Sequence, residues 1–237
     1  MKKLIALTVT LVFSQPVLAA NINTLQNLAQ GEFRGFSEDL GSALSYKGVV
    51  PAEPLGITGF DLGLEVTQTS LAKSKGLWSK VGTRNIDNLY VPKLHVTKGL
   101  PLNIDVGGFF SAIPSTGIKL YGGELRWAIL PGSTTLPAIA LRGSLTKLSG
   151  VNQLSFDTRG VDVSISKGFA MFTPFAGVGQ VWTRSNPDAS TTLSKETFSK
   201  NKYFVGANLN LGISNLAAEY DKTGSADSVS VKLGLRF

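Results

Sequence analysis

The sequence predicts an all-β fold: a transmembrane antiparallel β-barrel of about ten strands, preceded by a short amphipathic helical segment. Three observations predict it. From Ile57 onward, apolar residues recur at every second position, which is the period of a strand with two different faces. Most of these segments have the roughly 9–11 residues that a tilted strand needs to cross hydrocarbon. After the first twenty residues no apolar run approaches 18 residues, and in lipid only helices and closed barrels satisfy every backbone group.

The first residues predict export. Lys2 and Lys3 precede an uncharged apolar run from Leu4 to Phe13, and small residues follow up to Ala19. This order is typical of a signal peptide over 1–19, cleaved after Ala19. The alternative, a membrane anchor, needs about 20 apolar residues, twice the observed run. Cleavage removes two lysines and lowers the net charge from +7 to +5.

Residues 20–56 have a different pattern and form the predicted N-terminal helical segment and linker. Apolar residues recur at helical spacing over 22–46, and the linker carries Pro51 and Pro54. The segment either plugs the lumen from the periplasmic side or docks at the barrel mouth. A helix is about 10–12 Å across, which is tight for a ten-strand lumen that already holds many charges. This favours docking or partial insertion.

The barrel is predicted over 57–237. Its strands are Ile57–Thr69, Asn88–Lys98, Leu102–Ala112, Lys119–Ile129, Pro137–Leu148, Ser155–Lys167, Phe172–Arg184, Lys202–Leu211, Asn215–Lys222 and Ser228–Phe237. The first and seventh connections, 70–87 and 185–201, are the longest, whereas three even-numbered ones are tight turns. Long extracellular loops and short periplasmic turns are typical of outer-membrane barrels. A soluble β-sandwich also alternates, but strand length, this loop asymmetry and the terminal aromatic favour the barrel.

The last strand has apolar residues at every second position and ends on an aromatic: Val229, Val231, Leu233, Leu235 and Phe237. It resembles the C-terminal strand signal of Gram-negative outer-membrane β-barrel proteins. The resemblance implies recognition by the barrel-assembly machinery and an outer-membrane location, with lipid and lipopolysaccharide as neighbours. The stretch 54–60, PLGITGF, is similar to uncharacterised exported barrel proteins and implies no activity.

If the apolar set faces lipid, the other set faces the lumen and forms a polar network of seven acids, five bases and one histidine. Its predicted members are Asp61, Glu65, Lys93, His95, Asp105, Glu124, Arg126, Arg142, Asp162, Glu219, Asp221, Lys232 and Arg236. Small barrels fill their interior with side chains, and buried charges must pair. The interpretation of paired filling is therefore favoured over a polar pathway for a solute.

Few charges fall on the outward set, and all lie near strand ends, where a charge on the lipid face costs little. They are Lys119, Lys147, Asp157, Arg159 and Lys167.

No enzyme, metal or cofactor is expected. The outer-membrane proteases and phospholipase that share this architecture use a histidine near the extracellular end, whereas His95 falls near the periplasmic end of its strand. Asp61 and Glu65 share a face, but positions i and i+4 of a strand are about 13 Å apart. There is no cysteine and no compact basic run for nucleic acid. The sequence predicts a minor channel or transport-related barrel for small solutes; the alternative is a non-conducting structural or surface-recognition barrel that presents loops 70–87 and 185–201.

Overall fold

The chain folds into a closed barrel of ten antiparallel strands, which confirms the predicted fold class. The computed structural model describes residues 22, 24–82, 85–113 and 117–237; the predicted signal peptide, residues 1–19, lies outside them. The strands are β1 Phe60–Ser70, β2 Asn88–Leu100, β3 Ile104–Ala112, β4 Lys119–Leu130, β5 Ala138–Ser149, β6 Leu154–Ser166, β7 Phe172–Pro187, β8 Glu196–Leu211, β9 Ser214–Thr223 and β10 Ala226–Arg236.

Each strand pairs with its sequence neighbours, and β1 closes the barrel against β10, from Asp61 opposite Arg236 to Ser70 opposite Asp227. The two ends of the barrel differ. At the turn end lie 101–103, 131–137, 167–171 and 212–213, together with the start of β1 and Phe237. At the loop end lie 71–87, 150–153 and 188–195 among others.

The seventh connection is shorter than predicted. It spans 188–195 rather than 185–201, because β7 and β8 continue their ladder to Ser185 opposite Glu196. The outward residues of this extension are polar. The alternation of apolar with polar residues, which marks the part of each strand nearer the turn end, is therefore absent here. The strands therefore project beyond the apolar belt at the loop end.

The outward face is an apolar belt. Large aliphatic and aromatic side chains on all ten strands are exposed, for example Leu64, Val96, Leu125, Val163, Val178 and Leu233. Trp127 and Tyr121 lie on this face nearer the turn end and the loop end of β4. No helix in the described ranges is long and apolar enough to cross a membrane.

The N-terminal segment lies inside the barrel, so the expectation of docking or partial insertion was wrong. Helix α1, Gln30–Leu44, contacts β1, β2, β6, β7 and β10. It approaches the wall closely at Gly41, where an added Cβ would lie 2.6 Å from Thr183 Oγ1. Gly41 lowers the helix propensity of the segment, but its lack of a side chain lets the helix fit beside Thr183. A four-residue helix, α2 (Trp78–Val81), lies in the 71–87 loop.

The segment also enters from the end opposite to the one expected. The residues before α1 lie at the loop end, where Thr24 Oγ1 donates to the Lys80 carbonyl at 2.9 Å and Gln153 Oε1 accepts from Leu25 N. After α1 the chain is extended and reaches β1 at the turn end. The polypeptide therefore runs the full length of the lumen.

Candidate functional site

The candidate site is the filled lumen, and its half nearer the turn end is ionic. The thirteen predicted lumen residues all project inward, and all but Arg236, which is half-buried, are buried. Each of the seven acids has a basic partner within 4.0 Å, and these partners include two lysines that the prediction lacked. A buried carboxylate is tolerated only when it is paired, so this set accounts for its own charge.

The extended part of the N-terminal segment is integrated into this network through its backbone. Arg126 Nη1 donates to the Pro51 carbonyl at 2.7 Å, while its Nε donates to Asp105. Asp105 also accepts from Leu55 N at 3.1 Å. One ion pair of the wall thus satisfies a carbonyl and an N–H of the segment, which has no sheet partner of its own.

Glu219 forms a second attachment on the opposite wall, since its Oε2 accepts from Val49 N at 3.2 Å. Asp221, two residues along the same strand, is 2.8 Å from Lys47 Nζ. Lys202 Nζ donates to the Tyr46 carbonyl at 3.1 Å and is 3.9 Å from Glu219. Three of the four residues from 46 to 49 are therefore held by β8 and β9.

Lys47 and Lys202 are the lumen residues that the sequence prediction missed. Lys47 lies outside every strand, so alternation carries no signal for it. Lys202 is in phase with Phe204, which is also buried, so alternation along β8 places it on the inner face, but the predicted set did not include it. The charge count of the predicted lumen set indicates that bases are missing from it, because seven inward acids and five bases leave two carboxylates without a partner.

Arg142 lies directly against the N-terminal segment. It lies 3.0 Å from Asp162 and 3.5 Å from Glu124. The segment passes it at Gly48, where a Cβ would lie 1.5 Å from Arg142 Nη1. Only a residue without a side chain fits there. Beside this point the space lined by Tyr46, Ser144 and Lys202 has a volume of about 10 Å³, which is room for about one water.

His95 is part of a buried cluster. Its Nε2 is 2.6 Å from Glu65 Oε2, and Lys93 Nζ is 2.6 Å from the other carboxylate oxygen. The imidazole stacks on Phe109 and contacts the edge of Tyr46. With 2% of its surface exposed, the histidine is enclosed by this cluster.

The half of the lumen nearer the loop end contains the apolar cluster of the interior, beside buried hydroxyl groups of the wall such as Thr69, Thr183 and Ser185. Phe33, Phe36 and Leu40 of α1 are buried there, in contact with inward side chains of the wall that form one cluster with them: Leu89, Val91, Phe109, Leu120, Leu148 and Phe156 among others. These apolar wall residues lie on the same inward face of the strands as the charged residues. Large apolar side chains on the inward face are not expected in a water-filled lumen, so the sequence already indicates that the lumen is occupied.

The 71–87 loop is fixed to α1. Asp39 Oδ2 accepts hydrogen bonds from the N–H groups of Lys73 and Ser74, at 2.8 and 2.7 Å. Trp78 donates from Nε1 to Ser74 Oγ, and its ring is 4.8 Å from that of Phe36. The loop that was predicted to be presented at the surface is therefore anchored on the helix inside the barrel.

The five residues of the predicted assembly signal alternate with inward residues along β10 and beyond it, and all are exposed. Phe237 packs on Phe60 with ring centroids 5.7 Å apart and exchanges two backbone hydrogen bonds with it. The last residue thus completes the seam between β1 and β10.

No protein-family model matches the chain, and no curated protein matches its sequence. Similar solved structures are themselves β-barrels. The N-terminal β-barrel domain of Pseudomonas aeruginosa OprF has a TM-score of 0.38 at 9% identity, covering 77% of this chain and 99% of that one. Neisserial surface protein A has a TM-score of 0.32 at 10% identity, covering 75% and 94%. The attachment invasion locus protein Ail of Yersinia pestis, solved with the heparin analogue sucrose octasulfate, has a TM-score of 0.31 at 13% identity, covering 76% and 97%. At these identities and TM-scores none of the three bears on what this chain does.

Proposed function

We propose that the protein is an outer-membrane β-barrel that keeps its lumen closed with its own N-terminal segment. Its task is recognition at the cell surface, through a face built from residues 22–32 and the loops 71–87 and 188–195. The observation that carries the proposal is the threading of 22–59 through the whole lumen, with each wall acid paired. This favours the non-conducting alternative over the open channel.

The membrane location rests on the outward face. A soluble protein rarely exposes a continuous apolar belt, whereas a barrel in lipid requires one. The loop end is assigned to the cell surface because the two longest connections, 71–87 and 188–195, lie there.

The segment and the loops form one surface rather than separate parts. Gln30 is hydrogen-bonded to Ser194, with Ser194 N donating to Gln30 Oε1 at 2.8 Å. Arg34 Nη1 lies 2.6 Å from Glu196, and Asn27 Nδ2 donates to the Lys80 carbonyl at 3.0 Å. A surface held by so many cross-contacts is preorganised, which lowers the entropic cost of binding a partner.

Conductance in planar bilayers tests the closed lumen. The mature chain should be nearly silent, because the N-terminal segment runs through the whole lumen and lies against Arg142 at Gly48. A variant lacking 20–50 keeps every strand and should conduct, since the wall charges then face water. Frequent openings of the mature chain would overturn the closed state, and heat-modifiable migration in gels shows that each variant has inserted.

The absence of cysteine allows a direct test of orientation. Gln26→Cys and Ser190→Cys, both at the loop end, should react with a membrane-impermeant maleimide in intact cells. Leu136→Cys, which is exposed at the turn end, should react only after the outer membrane is permeabilised. Labelling of Leu136→Cys alone in intact cells would invert the assignment.

A gated conduit is a second candidate, favoured by one observation. Val49 has φ 49° in the middle of the plug, a conformation that is a genuine outlier for a β-branched residue. Such strain persists only where the surroundings hold it, and it is common at switches. A gated conduit predicts rare full openings of the mature chain that Val49→Gly, which relieves the strain, makes rarer still.

A further inference from the structure

We propose that the outward face of β4–β7, at the loop end, is a binding site for the phosphates of a phosphorylated glycolipid of the outer leaflet. The inference rests on the proposed membrane location. Four basic side chains carry it, one from each of these consecutive strands: Lys119, Lys147, Arg159 and Arg184. All four are exposed.

The register of the strands brings Lys147, Arg159 and Arg184 together, and Lys119 lies on the next strand, two residues from Tyr121, which is opposite Lys147. Lys147 is directly opposite Asp157, and Asp157 is directly opposite Arg184. Arg159 follows two residues along β6, between Leu145 and Trp182. With strands about 5 Å apart, the basic face is roughly 15 Å wide.

These cations have no partner among the residues that the structure describes. None of the four makes an ion pair or a side-chain hydrogen bond with another described residue. Outward lysines elsewhere differ: Lys167 Nζ donates to the Ser133 and Thr134 carbonyls, at 2.9 and 2.6 Å, and Lys222 lies 3.3 Å from Asp227. Unpaired bases are therefore concentrated on one side of the barrel.

The position of the four bases along the barrel axis indicates the kind of ligand. On β6 the outward residues Ile165, Val163 and Val161 are apolar, and Arg159 is the next one toward the loop end. On β7 Arg184 follows Trp182 in the same way. The bases thus lie where the apolar belt ends, at the depth of lipid headgroups on the extracellular side, and a cationic cluster there attracts anionic headgroups.

The width of the face favours a glycolipid with more than one phosphate over a single phosphodiester. Four bases and one acid, Asp157, give a net charge of +3 over roughly 15 Å. Phosphates separated by a sugar backbone can meet Lys147 and Arg184 at once, on either side of Asp157. Asp157 then repels the phosphates, so its removal should raise the affinity, whereas removal of a base should lower it.

The experiment is a titration of the detergent-solubilised, full mature protein with phosphorylated lipid A, dephosphorylated lipid A and phosphatidylglycerol. Wild type should prefer phosphorylated lipid A to the other two. A near-surface base contributes on the order of a fivefold change in affinity, so the triple variant K147Q/R159Q/R184Q should weaken binding on the order of 100-fold. Asp157→Asn should tighten it severalfold.

Lys222→Gln is the matched control, since it removes a loop-end cation on the other side of the barrel and should leave affinity unchanged. Should the triple variant fail to fold, Arg184→Gln alone should weaken binding about fivefold. Equal affinity of wild type for phosphorylated and dephosphorylated lipid A would overturn the site. Equally tight, equally patch-dependent binding of phosphatidylglycerol would overturn the assignment to glycolipid. Failure of wild type to enter micelles would instead count against the membrane location.

Discussion

The two halves of the lumen hold the same segment by different physics. In the loop half, a helix buries phenylalanine and leucine side chains against an apolar cluster of wall residues. In the turn half, an extended chain is held by charged wall residues that donate to its carbonyls and accept from its N–H groups. The helix ends at Leu44, where the wall changes character.

The difference shows how a plug fits a narrow barrel. Long charged side chains leave too little space for a helix, but their tips can satisfy the backbone of an extended chain. Where α1 approaches the wall most closely, the wall carries short side chains such as Thr183 and Ser185, which leave space for a helix, and the helix satisfies its own backbone. The inward side chains of the strands thus determine the conformation of the segment inside.

The largest effect is expected in the ionic half, for Arg126→Ala. The substitution leaves the Asp105 carboxylate buried with only the Leu55 N–H, and it removes the donor to the Pro51 carbonyl. Breaking a buried pair from one side costs about 3–5 kcal/mol. The free energy of unfolding, from urea titration in lipid vesicles, measures it.

Arg159→Ala is the control for Arg126→Ala, because it removes an unpaired outward arginine. It should change the free energy of unfolding by no more than about 0.5 kcal/mol. Similar losses in the two variants would mean that the lumen is hydrated enough to solvate Asp105, and the contrast between the halves would fail.

An intermediate effect is expected in the apolar half, for Gly41→Ala. The added Cβ would lie 2.6 Å from Thr183 Oγ1, and overpacking of this kind costs about 1–3 kcal/mol. Thr183→Ala should relieve most of the cost. Gly31→Ala, in the same helix with nothing within 4 Å, should instead stabilise the protein by about 0.5–1 kcal/mol. The unfolding midpoints of Gly41→Ala, of Gly41→Ala combined with Thr183→Ala, and of Gly31→Ala, each compared with wild type, decide whether close packing positions the helix. Equal losses of stability at positions 31 and 41 would exclude it.

The sequence predicted the wall better than the contents. Alternation with period two assigns Asp105, Arg126 and Arg142 to the inner face because every residue of a strand reports its phase. The segment at 45–59 has no period, since its backbone pairs with side chains rather than with a ladder. Its path depends on contacts such as Lys47 with Asp221, 174 residues apart, which no local pattern encodes. The roles of Gly41 and Gly48 cannot be read from the sequence for the same reason, because each depends on a distant wall residue, Thr183 or Arg142, that approaches it closely.

The smallest effect is expected at the rim, where the plug meets water and the two kinds of packing give way to exposed ion pairs. Glu38 of α1 lies 2.9 Å from Arg34, 2.5 Å from Lys73 and 3.0 Å from Lys200. Burial raises the pKa of its carboxyl, but hydrogen bonds from Lys73, Arg34 and Lys200 outweigh burial and lower the pKa from 4.5 to about 2. Because the folded pKa is the lower one, these contacts stabilise the protein fully above pH 4.5 and are lost as the pH falls toward 2.

The test compares wild type with Glu38→Gln, so that other titrating acids cancel. The difference between their unfolding midpoints should be greatest at neutral pH and shrink between pH 4.5 and 2. Salt should reduce it as well, because the side chains of Arg34 and Lys73 are 39% and 43% exposed and such pairs are screened. The Arg126→Ala loss, by contrast, should be insensitive to salt. If salt reduced both alike, the rim and the ionic half would be equally hydrated, and the helix and loops would not shield the network beneath them.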